Sequence, residues 1–153
     1  MTLDIIPVTD AAGAIVPAAA KWLPGAKVVH RQLRERLPSG YEAYLATLRR
    51  VFANGGRLTL ATEGEAVKGV ALWRIMENTH EGRCCFVEDL VVDAACRSQG
   101  VGKALIGWLE NLACHHACDA LTLTSGVQRS DAHRFYFREG FTIPSFCFRK
   151  KRT

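Results

Sequence analysis

The segment best equipped for chemistry is Asp89-Leu90-Val91-Val92-Asp93-Ala94-Ala95-Cys96-Arg97-Ser98-Gln99-Gly100-Val101-Gly102-Lys103. An apolar strand runs into a turn holding Arg97, Gly100 and Gly102, and a helix begins at once. That order makes an anion cradle. The free N–H groups of a helix's first turn point outward, and the dipole there favours negative charge. Glycine lets the backbone approach a pyrophosphate because no Cβ intervenes. Arg97 and Lys103 add formal positive charge. Two other glycine signatures do not fit. Gly102-Lys103 is followed by Ala104, where a P-loop needs Ser or Thr. Gly100, Gly102 and Gly107 break the Gly-x-Gly-x-x-Gly order of a dinucleotide site. Upstream, Glu88 and Asp89 put two adjacent carboxylates on the strand. By strict alternation they face opposite sides, so only one would serve a given site.

The elements that must position this segment alternate between periods of two and 3.6. Residues 3–8 read as a first strand. Two helical stretches follow, split by Leu23-Pro24-Gly25 and by Leu37-Pro38-Ser39-Gly40. The second starts from Ser39 as N-cap, carries Tyr44, Leu45, Leu48 and Phe52, and stops at Asn54-Gly55-Gly56. Residues 57–62 and 67–76 form a hairpin around Glu63-Gly64-Glu65. Residues 83–92 are a further strand, and the helix from Gly100 carries Val101, Leu105, Trp108, Leu109 and Leu112 as a core-facing stripe. A short strand follows at 121–124. Ser130 caps a last helix that stops at Gly140, and residues 141–148 return as a strand. This order predicts an α/β fold, a mixed sheet with helices on its faces.

The 153 residues fit one domain spanning 1–153. A hydrophobic fraction of 48% and a charged fraction of 23% exclude a disordered tail, a collagen-like fibre and a low-complexity linker. No apolar run approaches the roughly 18 residues of a membrane span. The stretch 11–20 is interrupted by Pro17 and preceded by Asp4 and Asp10, unlike a secretory signal, so the expected location is cytoplasmic. The net charge of +5 suits an anionic partner without saying which. Arg149-Lys150-Lys151-Arg152 reads as a solvated tail. The cysteines are Cys84, Cys85, Cys96, Cys114, Cys118 and Cys147. Cys114 and Cys118 share a helical face, but no second pair has the spacing that completes a zinc site. Reduced, mostly buried thiols and no metal are expected.

Arg97-Ser98-Gln99-Gly100-Val101-Gly102 resembles the Arg/Gln-x-x-Gly-x-Gly/Ala pyrophosphate loop of the GNAT superfamily of acyl-CoA-dependent N-acetyltransferases. Asp131-Ala132-His133-Arg134-Phe135-Tyr136-Phe137-Arg138-Glu139-Gly140-Phe141 resembles that family's later helix, with its Phe-Tyr and closing Gly-Phe. The two motifs also keep the family's order and distance, and the resemblance covers about the last two thirds of the chain. It implies a GNAT-like, mostly antiparallel central sheet flanked by helices. A splayed strand pair, one ending at Val92 and one at 121–124, would hold the acyl-CoA.

Acetyl-CoA would then be the co-substrate. Its pantetheine arm would pair with the backbone along Leu90, Val91 and Val92, and its pyrophosphate would lie on Arg97, Ser98, Gln99, Gly100, Val101, Gly102 and Lys103. A backbone N–H near Val92 would stabilise the tetrahedral oxyanion. Glu88, or else Asp89, would act as base, as the acidic pair does in the similar diamine acetyltransferases. Tyr136 matches the tyrosine that protonates the departing sulfur, and a phenol with an ordinary pKa of about 10 keeps its proton at neutral pH. Many relatives carry Asn seven positions before that tyrosine. Here the position is Arg129, which would reach a phosphate or a substrate anion instead. Residues 127–136 most resemble the aminoalkylphosphonate acetyltransferases.

The implied partner is a small-molecule primary amine, with no membrane, and a homodimer is common in the family. Trp22, Tyr41, Tyr44, Trp73, Glu77, Asn78 and His80 are candidates for the acceptor pocket. The rival reading is a non-catalytic CoA-sensing or nucleic-acid-binding module on the same fold. Glu88, Asp89 and Tyr136 argue for the enzyme, and the basic tail lacks interleaved aromatics apart from Phe146 and Phe148.

Overall fold

The computed structural model describes residues 2–153. It divides into one compact unit ending at Thr122 and a second from Leu123 to Thr153. The elements are β1 (Asp4–Pro7), α1 (Leu23–Leu33), α2 (Tyr41–Ala53), β2 (Arg57–Glu63), β3 (Ala66–Asn78), β4 (Gly82–Val92), α3 (Val101–His115), β5 (Ala120–Leu123) and α4 (Ser130–Arg138). The strands lie in the order β1-β2-β3-β4-β5, and β1–β2, β2–β3 and β3–β4 are antiparallel.

One face of the sheet is covered by α1 and α2. Leu23, Ala26 and Val29 of α1 and Tyr44, Leu48 and Phe52 of α2 recur at helical spacing, so each helix has one apolar stripe. Those stripes meet Leu58, Leu60, Val70, Leu72 and Val91 of the sheet, which alternate along their strands. On α3 the buried stripe is Val101, Leu105, Ile106 and Leu109. Its approach depends on Gly69, where a Cβ would stand 2.9 Å from both Leu105 Cδ1 and Val101 Cγ1. Any larger residue there must push α3 off β3.

The ladder between β3 and β4 slips once. Leu72 pairs with Asp89, whereas the next residue, Trp73, pairs with Val87. Glu88 is therefore an extra residue on β4, a one-residue bulge.

Several boundaries differ from the sequence expectation. Leu23-Pro24-Gly25 does divide two helical stretches, but the first is only a 3-10 helix over Pro17–Trp22. The proline falls within the start of α1, where it forfeits only an N–H that has no partner there. Gly40, not Ser39, caps α2: its carbonyl accepts the Tyr44 N–H at 2.9 Å, while the Ser39 carbonyl is taken by Lys27 Nζ at 2.6 Å. Ser130 is the first residue of α4, with Arg129 as the flanking residue and no side-chain cap. Residues 141–148 form no strand. Pro144 removes a donor there and breaks the alternation, so Phe141 and Ile143 fall on one parity and Phe146 and Phe148 on the other. Ile143, Phe146 and Phe148 are exposed. Among the described residues, no helix is long and apolar enough to cross a membrane.

Candidate active site

The turn into α3 is built on two left-handed residues, Ser98 (φ 63°) and Gly100 (φ 83°). α3 has no side-chain cap and no acidic residue in its first turn. Its first internal bond runs from Ala104 N to Gly100 O at 3.0 Å, so the N–H groups of Val101, Gly102 and Lys103 have no acceptor within the helix. A Cβ on Gly100 would meet nothing within 4 Å, and Arg97, Ser98, Gln99 and Lys103 are exposed. The result is an open, acid-free cradle that suits a phosphate oxygen. The turn is held from behind by Gln32 of α1. Gln32 Nε2 donates to Asp93 Oδ1 at 3.1 Å, and its Oε1 accepts the Ala94 N–H at 2.9 Å.

Leu90, Val91 and Val92 pair with Ala71, Val70 and Gly69 of β3. On the other side β5 has only four residues against eleven in β4. It is tied to the start of β4, where Asp119 N donates to Arg83 O at 2.6 Å and Arg83 N to Asp119 Oδ2 at 3.0 Å. Leu90 to Val92 therefore lie past the tie between these two strands.

The two carboxylates do not face opposite sides. Leu72 and Arg74 share a face of β3 by alternation. Leu72 lies across from Asp89, and Arg74 forms an ion pair with Glu88 while its Nη1 donates to Asn54 O, just past α2, at 2.7 Å. Both carboxylates thus point to the α1–α2 side, because the bulge cancels one step of the alternation. They differ in freedom. Asp89 is buried, with Oδ1 accepting Arg34 Nε at 2.6 Å and Oδ2 meeting His30 Nε2 at 2.7 Å. An ionised carboxylate only accepts, so that His30 nitrogen carries the proton. The other ring nitrogen, Nδ1, meets the Tyr44 hydroxyl at 3.0 Å. Burial pushes the Asp89 pKa up, but the bond to His30 and the charges of His30 and Arg34 outweigh it and hold the acid below its usual range. Burial, reinforced by the Asp89 charge, raises the Tyr44 phenol well above its ordinary value.

In the second unit, Tyr136 is buried on α4, with its ring 5.5 Å from Phe135 and 5.7 Å from Phe141. Gly140 (φ 90°) ends this helix: Phe141 N donates to Tyr136 O at 3.0 Å and Gly140 N to Phe137 O at 3.1 Å. That pair of bonds is a Schellman cap, which needs a left-handed residue and explains the closing Gly-Phe. Burial raises the Tyr136 phenol, and the charge of Arg129 opposes the rise without cancelling it. His133 Nε2 lies 2.8 Å from Gly126 O.

Several pocket candidates already have structural work. Tyr44 is fully buried, and Trp73 Nε1 donates to Thr59 Oγ1 at 3.0 Å. Glu77 pairs with Arg83 at 3.0 Å, and Asn78 Oδ1 accepts the His80 and Glu81 N–H groups at 3.0 and 2.6 Å. Sequence reasoning missed His30, Gln32 and Arg34. The signal for His30 was present: it lies four residues after Ala26 and seven after Leu23, on the apolar stripe, where a polar group must find a partner. All six cysteines are free, and burial pushes the Cys85 thiol up to about 12. Among the described residues, no cluster of His, Cys, Asp or Glu could hold a metal.

Residues 26–141 match the family model described as Acetyltransferase (GNAT) family. The chain is 46% identical over 72 residues to the uncharacterized N-acetyltransferase YhdJ of Bacillus subtilis, covering 46% of this chain and 51% of that protein. It is 33% identical over 87 residues to the aminoalkylphosphonate N-acetyltransferase of Salmonella typhimurium, covering 57% and 56%. The matches thus span about half the length of these relatives. Among solved structures, AAC(6')-Iy in complex with the bisubstrate analogue CoA-S-monomethyl-acetylneamine superposes with a TM-score of 0.79 at 18% identity, over 100% of both chains. At that identity the likeness is one of fold.

Proposed function

Because the chain belongs to the GNAT family of acetyltransferases, we propose that it transfers an acetyl group from acetyl-CoA to the primary amine of a small molecule. The observation that carries this reading is the acid-free opening of α3, with three N–H groups that the helix leaves without acceptors. The pyrophosphate of the co-substrate lies there, on residues 97–103, and its pantetheine arm runs along Leu90, Val91 and Val92.

An ammonium ion must first lose a proton before its nitrogen can attack the thioester carbonyl. Glu88 takes that proton, directly or through water. It suits the task better than Asp89, whose two oxygens are both engaged by cations or donors. The attack forms a C–N bond and an oxyanion, which an N–H near Val92 stabilises. Collapse breaks the C–S bond, and the thiolate takes its proton from Tyr136, whose raised phenol is protonated at neutral pH. The second proton lost by the former amine nitrogen restores the phenol, directly or through water. Arg129 is the candidate contact for an anionic group of donor or acceptor. The name of the Salmonella relative supports a small amine as acceptor.

We read residues 1–153 as one acetyltransferase domain, supported by a family match that runs from 26 to 141. Six free thiols fit a reducing compartment, the cytoplasm. A homodimer is supported by Ile143, Phe146 and Phe148, which would be costly to leave in water. Sedimentation equilibrium at micromolar concentration should return twice the chain mass of 16.9 kDa, and a monomer throughout would refute this.

The first test of the function is calorimetric titration with acetyl-CoA. One molecule should bind per chain, and bulky residues at Gly100 and Gly102 should abolish binding. No binding by well-folded wild-type protein would sink the transferase reading.

A further inference from the structure

We propose that Arg34, His30 and Tyr44, acting through Asp89, are positioning residues that hold the bulge of β4 and thereby aim the Glu88 carboxylate. This rests on the reading of Glu88 as the base. A bulge takes its extra residue out of the ladder, so the backbone of Glu88 must find partners elsewhere. Its carbonyl accepts Arg34 Nη2 at 2.9 Å. The same guanidinium donates through Nε to Asp89 Oδ1 at 2.6 Å. One planar fork therefore spans both residues at the slip, a geometry that a lysine cannot reproduce.

The far side of Asp89 is pinned as well. His30 holds Oδ2 at 2.7 Å, and its other nitrogen meets the hydroxyl of Tyr44 on α2 at 3.0 Å. His30 and Tyr44 are fully buried, so the chain of contacts is closed to solvent. If the slip moved so that Glu88 faced Leu72, Asp89 would turn to the α3 side and leave both its partners, Arg34 and His30. The cluster thus selects one position for the bulge out of several. That position leaves Glu88 as the extra residue beside Asp89, with its carbonyl held by Arg34 and its carboxylate by Arg74.

A double-mutant cycle tests this, using Arg34→Gln and Glu88→Gln with a primary amine that the wild type acetylates. Arg34→Gln should lower kcat about tenfold, since small misplacements of a reacting group are costly. Acetyl-CoA affinity by calorimetry should change by less than about twofold, and Arg34→Lys should not restore kcat. In the Glu88→Gln background, Arg34→Gln should lower kcat by less than about a further twofold, because the aimed group is gone. Full multiplication of the two losses, or a kcat within twofold of wild type for Arg34→Gln, would overturn the proposal.

Amide exchange gives a readout independent of activity. Residues 86–90 should exchange at least about tenfold faster in Arg34→Gln, with β2 unchanged. Unchanged exchange there overturns the clamp whatever the activity. If Glu88→Gln alone turns over like wild type, the base assignment fails instead, and the exchange result decides whether the clamp exists.

Discussion

Tyr136→Phe is expected to lower kcat by about 10²- to 10³-fold, the usual worth of a general acid, with acetyl-CoA affinity changed by less than about twofold. The substitution leaves the ring in place, so its edge contacts with Phe135 and Phe141 and the cap at Gly140 survive. Only the O–H is lost, and with it the proton that the leaving thiolate needs. The pH dependence sharpens the expectation. Burial keeps the phenol protonated beyond its ordinary range, so wild-type turnover should fall on the alkaline side only above a pH of about 10. That limb should be absent from the Phe variant. Product should be followed by mass rather than by a thiol reagent, because the exposed thiols of Cys114 and Cys147 would react. An unchanged kcat removes Tyr136 from the chemistry.

Asp89→Ala should destabilise the fold by about 3 kcal/mol, the low end for breaking a buried pair because Arg34 is half exposed. For a chain of this size that is a fall in Tm of roughly 10 °C. Removing the carboxylate strands the His30 N–H in a dry site, which costs more than the bond itself contributed. The sign with pH follows from the depressed pKa. The stabilisation is fully present above the unfolded pKa of about 3.9 and is lost as pH falls through the lower folded value. Thermal melts from pH 7 down to pH 3 should therefore show wild-type and Asp89→Ala stabilities converging in acid. A constant gap over that range would mean that Asp89 contributes through packing rather than charge.

Where side-chain pattern and local turn chemistry decide the outcome, the sequence was readable. The stripe on α3, the hairpin of β2 and β3 and the cradle at Gly100 all follow from spacing alone. The Gly140 stop follows from the need for a left-handed residue. The bulge at Glu88 was not readable, since it depends on which residue of β3 sits opposite and on His30 of α1 and Arg34 just past its end. One inserted residue then reversed the expected facing of Glu88 against Asp89. Residues 141–148 failed for a local reason: Pro144 removes a donor and the apolar residues change parity across it, so a strand-like composition lacks a strand's alternation. Arg34 and Gln32 looked like ordinary polar helix residues because their partners lie more than 50 positions away.

Helix α1 and the residue that caps its end send His30 and Arg34 to the bulge and Gln32 to the turn before α3. The early part of the chain is thereby mechanically joined to the strand and turn of the proposed donor site. That segment is therefore not a detachable module. Replacing residues 30–34 as a block would remove three struts at once. Positions 30, 32 and 34 work as one set with 89, 93 and 94, so a substitution on one side of these contacts is felt on the other.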